Sequence, residues 1–258
     1  MFALTLTSCG TKEAETKTLI LYYSLTGTTE SVAQELQKAL KADMEAIELE
    51  NPYEGSYEEV VKQVGKEREA GELPKLLPLK ADLSKYDTIF LGYPIWYGTY
   101  ARPIAALVEQ YDFKDKQIVT FCTFGSGGLE AAIEDMKKAQ PLAKVSESGF
   151  GIRNARVTAT AKELERFLVE NNFIEGEVEA LPGYSEMQPV TEEEKLIFDA
   201  ACGDYQYPLG TPVMAGKRGT ADGVDYIYQV QAGDATSTIF VTVGNAAEAK
   251  PDFTRVVR

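Results

Sequence analysis

The chain has 258 residues, 44% of them hydrophobic and 26% charged, a globular composition with enough length for two domains rather than a fibrous or disordered one. Its formal net charge of −14 argues against nucleic acid as a partner, because phosphate backbones select basic surfaces; the acid suits docking to basic patches on partner proteins, or simply keeps the chain soluble. The chain has no histidine, which removes the commonest general base and metal ligand, and Cys9, Cys122 and Cys202 show no metal-ligand spacing, so any chemistry is expected to come from a bound cofactor.

The chain opens MFALTLTSCG and then turns polar. The stretch ending in Leu6-Thr7-Ser8-Cys9 resembles a bacterial lipobox, in which a peptidase cuts before the Cys. That resemblance implies lipidation at Cys9, a tether within residues 1–17 and a place in the cell envelope; without the anchor the expectation is cytoplasmic. No later run approaches the length of a membrane-spanning helix.

From Thr18 short apolar runs alternate with helical patterns. TLILYY (Thr18 to Tyr23) reads as a strand, and ESVAQELQKALKA as a helix with Val32, Leu36 and Leu40 on one face. MEAIEL is a second strand, DTIFLGY (Asp87 to Tyr93) a third, and ARPIAALVEQ the helix after it. QIVTFCTF (Gln117 to Phe124) is a fourth strand followed by the helix GLEAAIEDMKKAQ; AKVSESGFGI is a weaker fifth and TAKELERFLVENN a closing helix. Strands apolar throughout are buried on both faces, so residues 18–175 are expected to form a doubly wound α/β domain with a parallel sheet. Such sheets bind ligands beyond the carboxyl ends of their strands.

Three loops stand at those ends. After strand one comes Ser24-Leu25-Thr26-Gly27-Thr28-Thr29, whose hydroxyls and backbone amides converge at a helix N-terminus without a Walker-type lysine. That suits a phosphate monoester held by neutral donors; an ordinary N-cap cluster would use the same residues. After strand three, Gly92 to Tyr100 is unusually aromatic and suits either a stacking platform for a flat ring or a core cluster. After strand four, Thr123-Phe124-Gly125-Ser126-Gly127-Gly128 lets backbone amides approach a ligand.

The strings YYSLTGTTESVAQEL and GYPIWYGTYARP, with NPYEGSYEEVVKQVGKERE between them, resemble the flavodoxin family over about Thr18 to Asn172. The resemblance implies a five-stranded sheet in order 2-1-3-4-5 that binds FMN. Ser24, Leu25, Thr26, Gly27, Thr28 and Thr29 would cradle its phosphate. Pro94, Ile95, Trp96, Tyr97 and Gly98 would meet its ring, with a carbonyl near Gly98 accepting a hydrogen bond from the reduced N5. Thr123, Phe124, Gly125, Ser126, Gly127 and Gly128 would lie at its edge, although the subfamily usually has Thr-Ser-Gly-Gly-Ser-Gly there. The implied function is electron transfer to partner proteins, with no catalytic side chain. The alternatives are an FMN-dependent NAD(P)H or quinone reductase, and a module of this fold without FMN.

Residues 176–189 read as a linker, and 190–258 as a second domain. TEEEKLIFDAACG is an amphipathic helix with Thr191 as N-cap and Glu194 at capping-box spacing. Four strand candidates follow: YQYPLGTPVMAG, VDYIYQVQAG, STIFVTVG and DFTRVVR. With Gly183, a turn at Pro212 to Gly216 and DYIYQVQAGD, the tail resembles a cystatin-like domain. Pro212 and Met214 stand where cystatins have Gln and Val, so an interaction or structural role is expected rather than protease inhibition. Cys122 and Cys202 are expected to be packing residues.

Overall fold

The computed structural model describes residues 17–203, 205–246 and 248–258; Cys9 and all of the expected tether except Lys17 lie outside them. The first domain runs β1 (Thr18–Tyr22), α1 (Thr28–Leu40), β2 (Asp43–Ala46), α2 (Tyr57–Ala70), β3 (Thr88–Trp96), β4 (Thr99–Tyr100), α3 (Arg102–Gln110), β5 (Gln117–Phe124), α4 (Leu129–Ala139), β6 (Lys144–Val145), β7 (Phe150–Arg153) and α5 (Thr160–Glu170). The sheet order is β2-β1-β3-β5-β6, parallel throughout, with β7 also pairing β5 and β4 folding back on β3. This is the order that the flavodoxin resemblance implies, its fifth position built from two short pieces.

Side-chain alternation explains why helices cover both faces. Leu19, Leu21, Ile89, Leu91, Ile118 and Cys122 point to one face, under α3 and α4. Ile20, Tyr22, Phe90, Val119 and Phe121 point to the other, under Val32, Ala33 and Leu36 of α1 and Leu164 and Leu168 of α5. Successive residues of a strand face opposite ways, so a strand buried on both sides must be apolar at every position. Each such side chain contributes about 1.5–3 kcal/mol by leaving water.

Two expected loops are strand instead. Pro94, Ile95 and Trp96 continue β3, and Trp96 pairs with Thr99 across a two-residue turn, Tyr97-Gly98, with φ of 52° and 85°. Positive φ at both central residues suits the right-handed twist of a tight hairpin. Pro212 to Gly216, expected as a turn, lies inside β9 (Thr211–Thr220). A Cβ on Gly216 would come 2.9 Å from the Ser185 carbonyl, so glycine there permits close packing rather than a bend.

The second domain contains β8 (Gln188–Pro189), α6 (Glu192–Cys202), β9, β10 (Gly223–Ala232), β11 (Ala235–Gly244) and β12 (Asp252–Val257). Its antiparallel sheet has the order β12-β11-β10-β9-β8 and packs on α6 through Phe198, Cys202 and Tyr228. Thr191 and Glu194 form the expected capping box. β8 lies within the stretch that reads as linker. Among the described residues no helix is long and apolar enough to cross a membrane.

Gly92 tests this packing. A Cβ there would sit 2.0 Å from the Phe121 ring. Gly92→Ala should therefore cost about 1–3 kcal/mol, seen as a lower urea midpoint at unchanged m-value; an unchanged midpoint would contradict the contact.

Candidate functional site

Strand register brings the three loops to one level. Tyr22 pairs with Gly92 and Pro94 with Thr123, and the Tyr23 amide donates to the Gly92 carbonyl at 3.0 Å. Ser24, Pro94 and Thr123 therefore stand at one level at the carboxyl end of the sheet.

The first loop is a set of hydroxyls around an open turn. Gly27 precedes α1 with φ 84°, and no side-chain hydrogen bond caps the helix. The Thr26 and Thr28 hydroxyls lie 3.2 Å apart and face solvent. The Ser24 hydroxyl is buried, yet it has no partner among the described residues. A Cβ on Gly27 would meet nothing within 4 Å. Uncapped amides, an orphaned hydroxyl and free space above the glycine fit a phosphate monoester. The Leu25 side chain takes no part and packs against the core.

Trp96 is partly buried, with the edges of Tyr23 and Tyr53 at centroid distances of 5.8 and 5.7 Å. Burial, reinforced by the Glu67 carboxylate, pushes both phenols above their ordinary range and keeps them neutral. The Tyr53 hydroxyl donates to Glu67 at 2.6 Å. Tyr97 leans elsewhere: its hydroxyl donates to the Val61 carbonyl on α2, and Arg68 covers its ring. Behind Trp96 and Tyr97 lies a cavity of about 450 Å³, whose charged lining is Arg68, Arg102, Asp135 and Lys138. None of the hydroxyl-turn residues lines it, so the expected phosphate site and this cavity are separate spaces.

The third loop is tied to the other two. The Thr29 and Thr123 hydroxyls meet at 2.8 Å in a buried contact. A Cβ on Gly128, at φ 115°, would lie 2.7 Å from Ile95 Cγ2 and 3.3 Å from the Gly98 carbonyl. Phe124 is buried in the core, so only its backbone is available to a ligand. Ser126 and Gly127 face β12 through their backbones. The three loops are thus linked: Tyr23, just before the first loop, meets Trp96 of the second, Thr29 meets Thr123 of the third, and Gly98 meets Gly128.

Sequence reasoning passed over Tyr23, Tyr53 and Arg153. Tyr53 carried a signal, being aromatic in the loop after β2. Arg153, whose Nε donates to the Gly125 carbonyl at 2.8 Å, carried none. Cys122 and Cys202 are buried, as expected of packing residues, and burial pushes the Cys202 thiol up to about 12. Among the described residues no cluster of candidate ligands could hold a metal.

Residues 17–171 match the family model described as Flavodoxin. A proposed flavoprotein from Bacteroides eggerthii is 25% identical, with a TM-score of 0.51 over 62% of this chain and 99% of that one. Another from Bacteroides uniformis is also 25% identical, with a TM-score of 0.52 over 58% of this chain and 98% of that one. No curated protein matches the chain.

Two substitutions separate waiting hydroxyls from structural ones. In cofactor-free protein, Ser24→Ala should leave stability within about 0.5 kcal/mol of the parent or raise it, because it removes an unpaired buried group. Thr29→Val should cost about 1–3 kcal/mol by stranding Thr123. Urea unfolding checks both; the reverse order would contradict the assignment.

Proposed function

This chain belongs to the flavodoxin family, and from that premise we propose that its first domain holds FMN and passes electrons to protein partners. The mutual contact of three loops at one sheet edge, with Ser24 left unpaired among them, carries the reading. The hydroxyls of Ser24, Thr26 and Thr28 and the first amides of α1 would hold the phosphate with neutral donors and the helix dipole, while the Thr29 hydroxyl, paired with Thr123, holds the turn in place. Ile95, Trp96 and Gly98 would border the ring on the hairpin side, and the backbone of Thr123 to Gly128 would border it on the other. When bound, FMN supplies the redox chemistry. The chain's part is to keep water from the ring and to disfavour added negative charge through an acidic surface, which lowers the reduction potential. No side chain is assigned an acid or base role.

The charge of −14 supports partners with basic docking patches. The Leu6-Thr7-Ser8-Cys9 string supports a lipid anchor and an envelope location; a native N-terminus that is neither cleaved nor modified, seen by mass spectrometry, would reject it. For the helix-on-sheet tail we favour an interaction role over protease inhibition, because Pro212 and Met214 occupy strand positions in β9. Failure to inhibit a papain-like protease at micromolar concentration is the expected result.

One observation favours a second reading, an FMN-dependent NAD(P)H or quinone reductase. The cavity behind Trp96 sets three cations, Arg68, Arg102 and Lys138, against one carboxylate, Asp135, in an otherwise acidic protein, which suits an anionic substrate such as NAD(P)H. Steady-state turnover with NADPH and quinones would favour the reductase; its absence favours the carrier.

Trp96 is the only tryptophan and reports on the site. FMN should quench its fluorescence and saturate at one equivalent, with riboflavin, which lacks the phosphate, at least about tenfold weaker. No quenching at micromolar FMN would contradict the proposal and favour a module without cofactor.

A further inference from the structure

The second domain meets the first at the glycine-rich turn. β12 is an edge strand of its sheet, and its outer side faces residues 125–127. The Val256 amide donates to the Ser126 carbonyl at 2.7 Å. A Cβ on Gly127 would lie 2.1 Å from the Val256 carbonyl oxygen, so no other residue allows this approach. Arg153, at the end of β7, bridges the two units: Nε donates to the Gly125 carbonyl at 2.8 Å and Nη1 to the Phe253 carbonyl at 2.6 Å. Its guanidinium sits 4.2 Å from the centre of the Phe253 ring. Arg255 pairs with Glu130 in the first turn of α4, and Arg156 with Asp252.

The carbonyls of Gly125 and Ser126 are thus both taken, the first by Arg153 and the second by the Val256 amide. A trans peptide directs its N–H opposite to its C=O, and the described residues contain no cis bond. The Ser126 amide shares a plane with the Gly125 carbonyl, and the Gly127 amide with the Ser126 carbonyl. The Ser126 amide therefore points away from the Arg153 guanidinium, and the Gly127 amide away from the Val256 amide on β12. Neither donates to another backbone group among the described residues.

We propose that the second domain is a working part of the cofactor site: β12 and Arg153 set the turn so that the Ser126 and Gly127 amides are presented to the electron-rich edge of the flavin ring. This rests on the reading that the first domain binds FMN. Because one set of peptides serves both contacts, domain docking and FMN binding strengthen each other by linkage. Arg153 is a positioning residue. The glycine at 127, where the subfamily usually has Ser, follows, since the strand requires it rather than the ring.

The test uses the full chain, with the FMN dissociation constant from fluorescence quenching and the visible circular dichroism of the bound flavin. Arg153→Ala and Gly127→Ala should each weaken FMN at least tenfold and alter the flavin spectrum. Arg153→Lys should recover part of the loss, because one ammonium reaches one carbonyl more easily than two. Lys162→Ala breaks the Lys162–Asp222 pair, which joins the domains without touching the turn, and should bind FMN like the parent. If Arg153→Ala does not fold, Gly127→Ala and Val256→Pro, which removes the amide facing Ser126, carry the test. Near-UV dichroism establishes folding. Folded variants within twofold of the parent, with its flavin spectrum, would overturn this proposal alone. An equal loss in Lys162→Ala would overturn the role given to Arg153. A parent chain that binds no FMN would overturn the functional reading and this inference with it.

Discussion

Parallel strands impose the constraint on which the candidate site depends. β1, β3 and β5 lie side by side and run the same way, so their carboxyl ends emerge at one edge. Segments that lie 94 residues apart in sequence then meet through the buried Thr29–Thr123 hydroxyl pair. Helices on both faces hold the strands level. The apolar code that makes the sheet thus also assembles polar loops which have no sequence proximity.

The second domain adds a constraint of a different kind. An exposed edge strand presents unpaired amides and carbonyls, and β12 covers part of its edge with the first domain's glycine-rich turn. Charge-assisted hydrogen bonds of the Arg153 type contribute about 1.5–3 kcal/mol, enough to order a short glycine-rich segment whose backbone freedom would otherwise be costly to lose. The turn faces the sheet core at Phe124, the hairpin at Gly128 and the second domain at Gly127. It therefore joins the sheet core, the hairpin and the second domain.

Strand and helix positions were legible in the sequence because double-sided burial leaves continuous apolar runs such as Thr18 to Tyr23 and helical spacing such as Val32 and Leu36; the strand order came only from the family resemblance. Loop identity was legible from chemistry, hydroxyls in one loop and aromatics in another. Their boundaries were less so. Gly92 and Pro94 look like loop residues, yet Gly92 makes room for Phe121 and Pro94 still lies in register with Thr123. A two-residue strand such as Gln188–Pro189 has no periodicity to detect. The contact of β12 with the turn depends on residues some 130 positions apart, Ser126 and Val256, and local pattern carries no trace of it.

The central claim is that three loops form one site. Backbone amide NMR during FMN titration tests it most directly, because it reads each loop separately. The account predicts that Ser24 to Thr29, Trp96 to Gly98 and Gly125 to Gly128 shift together and saturate at the same single equivalent. Shifts confined to one loop, or saturating at different FMN concentrations, would contradict it.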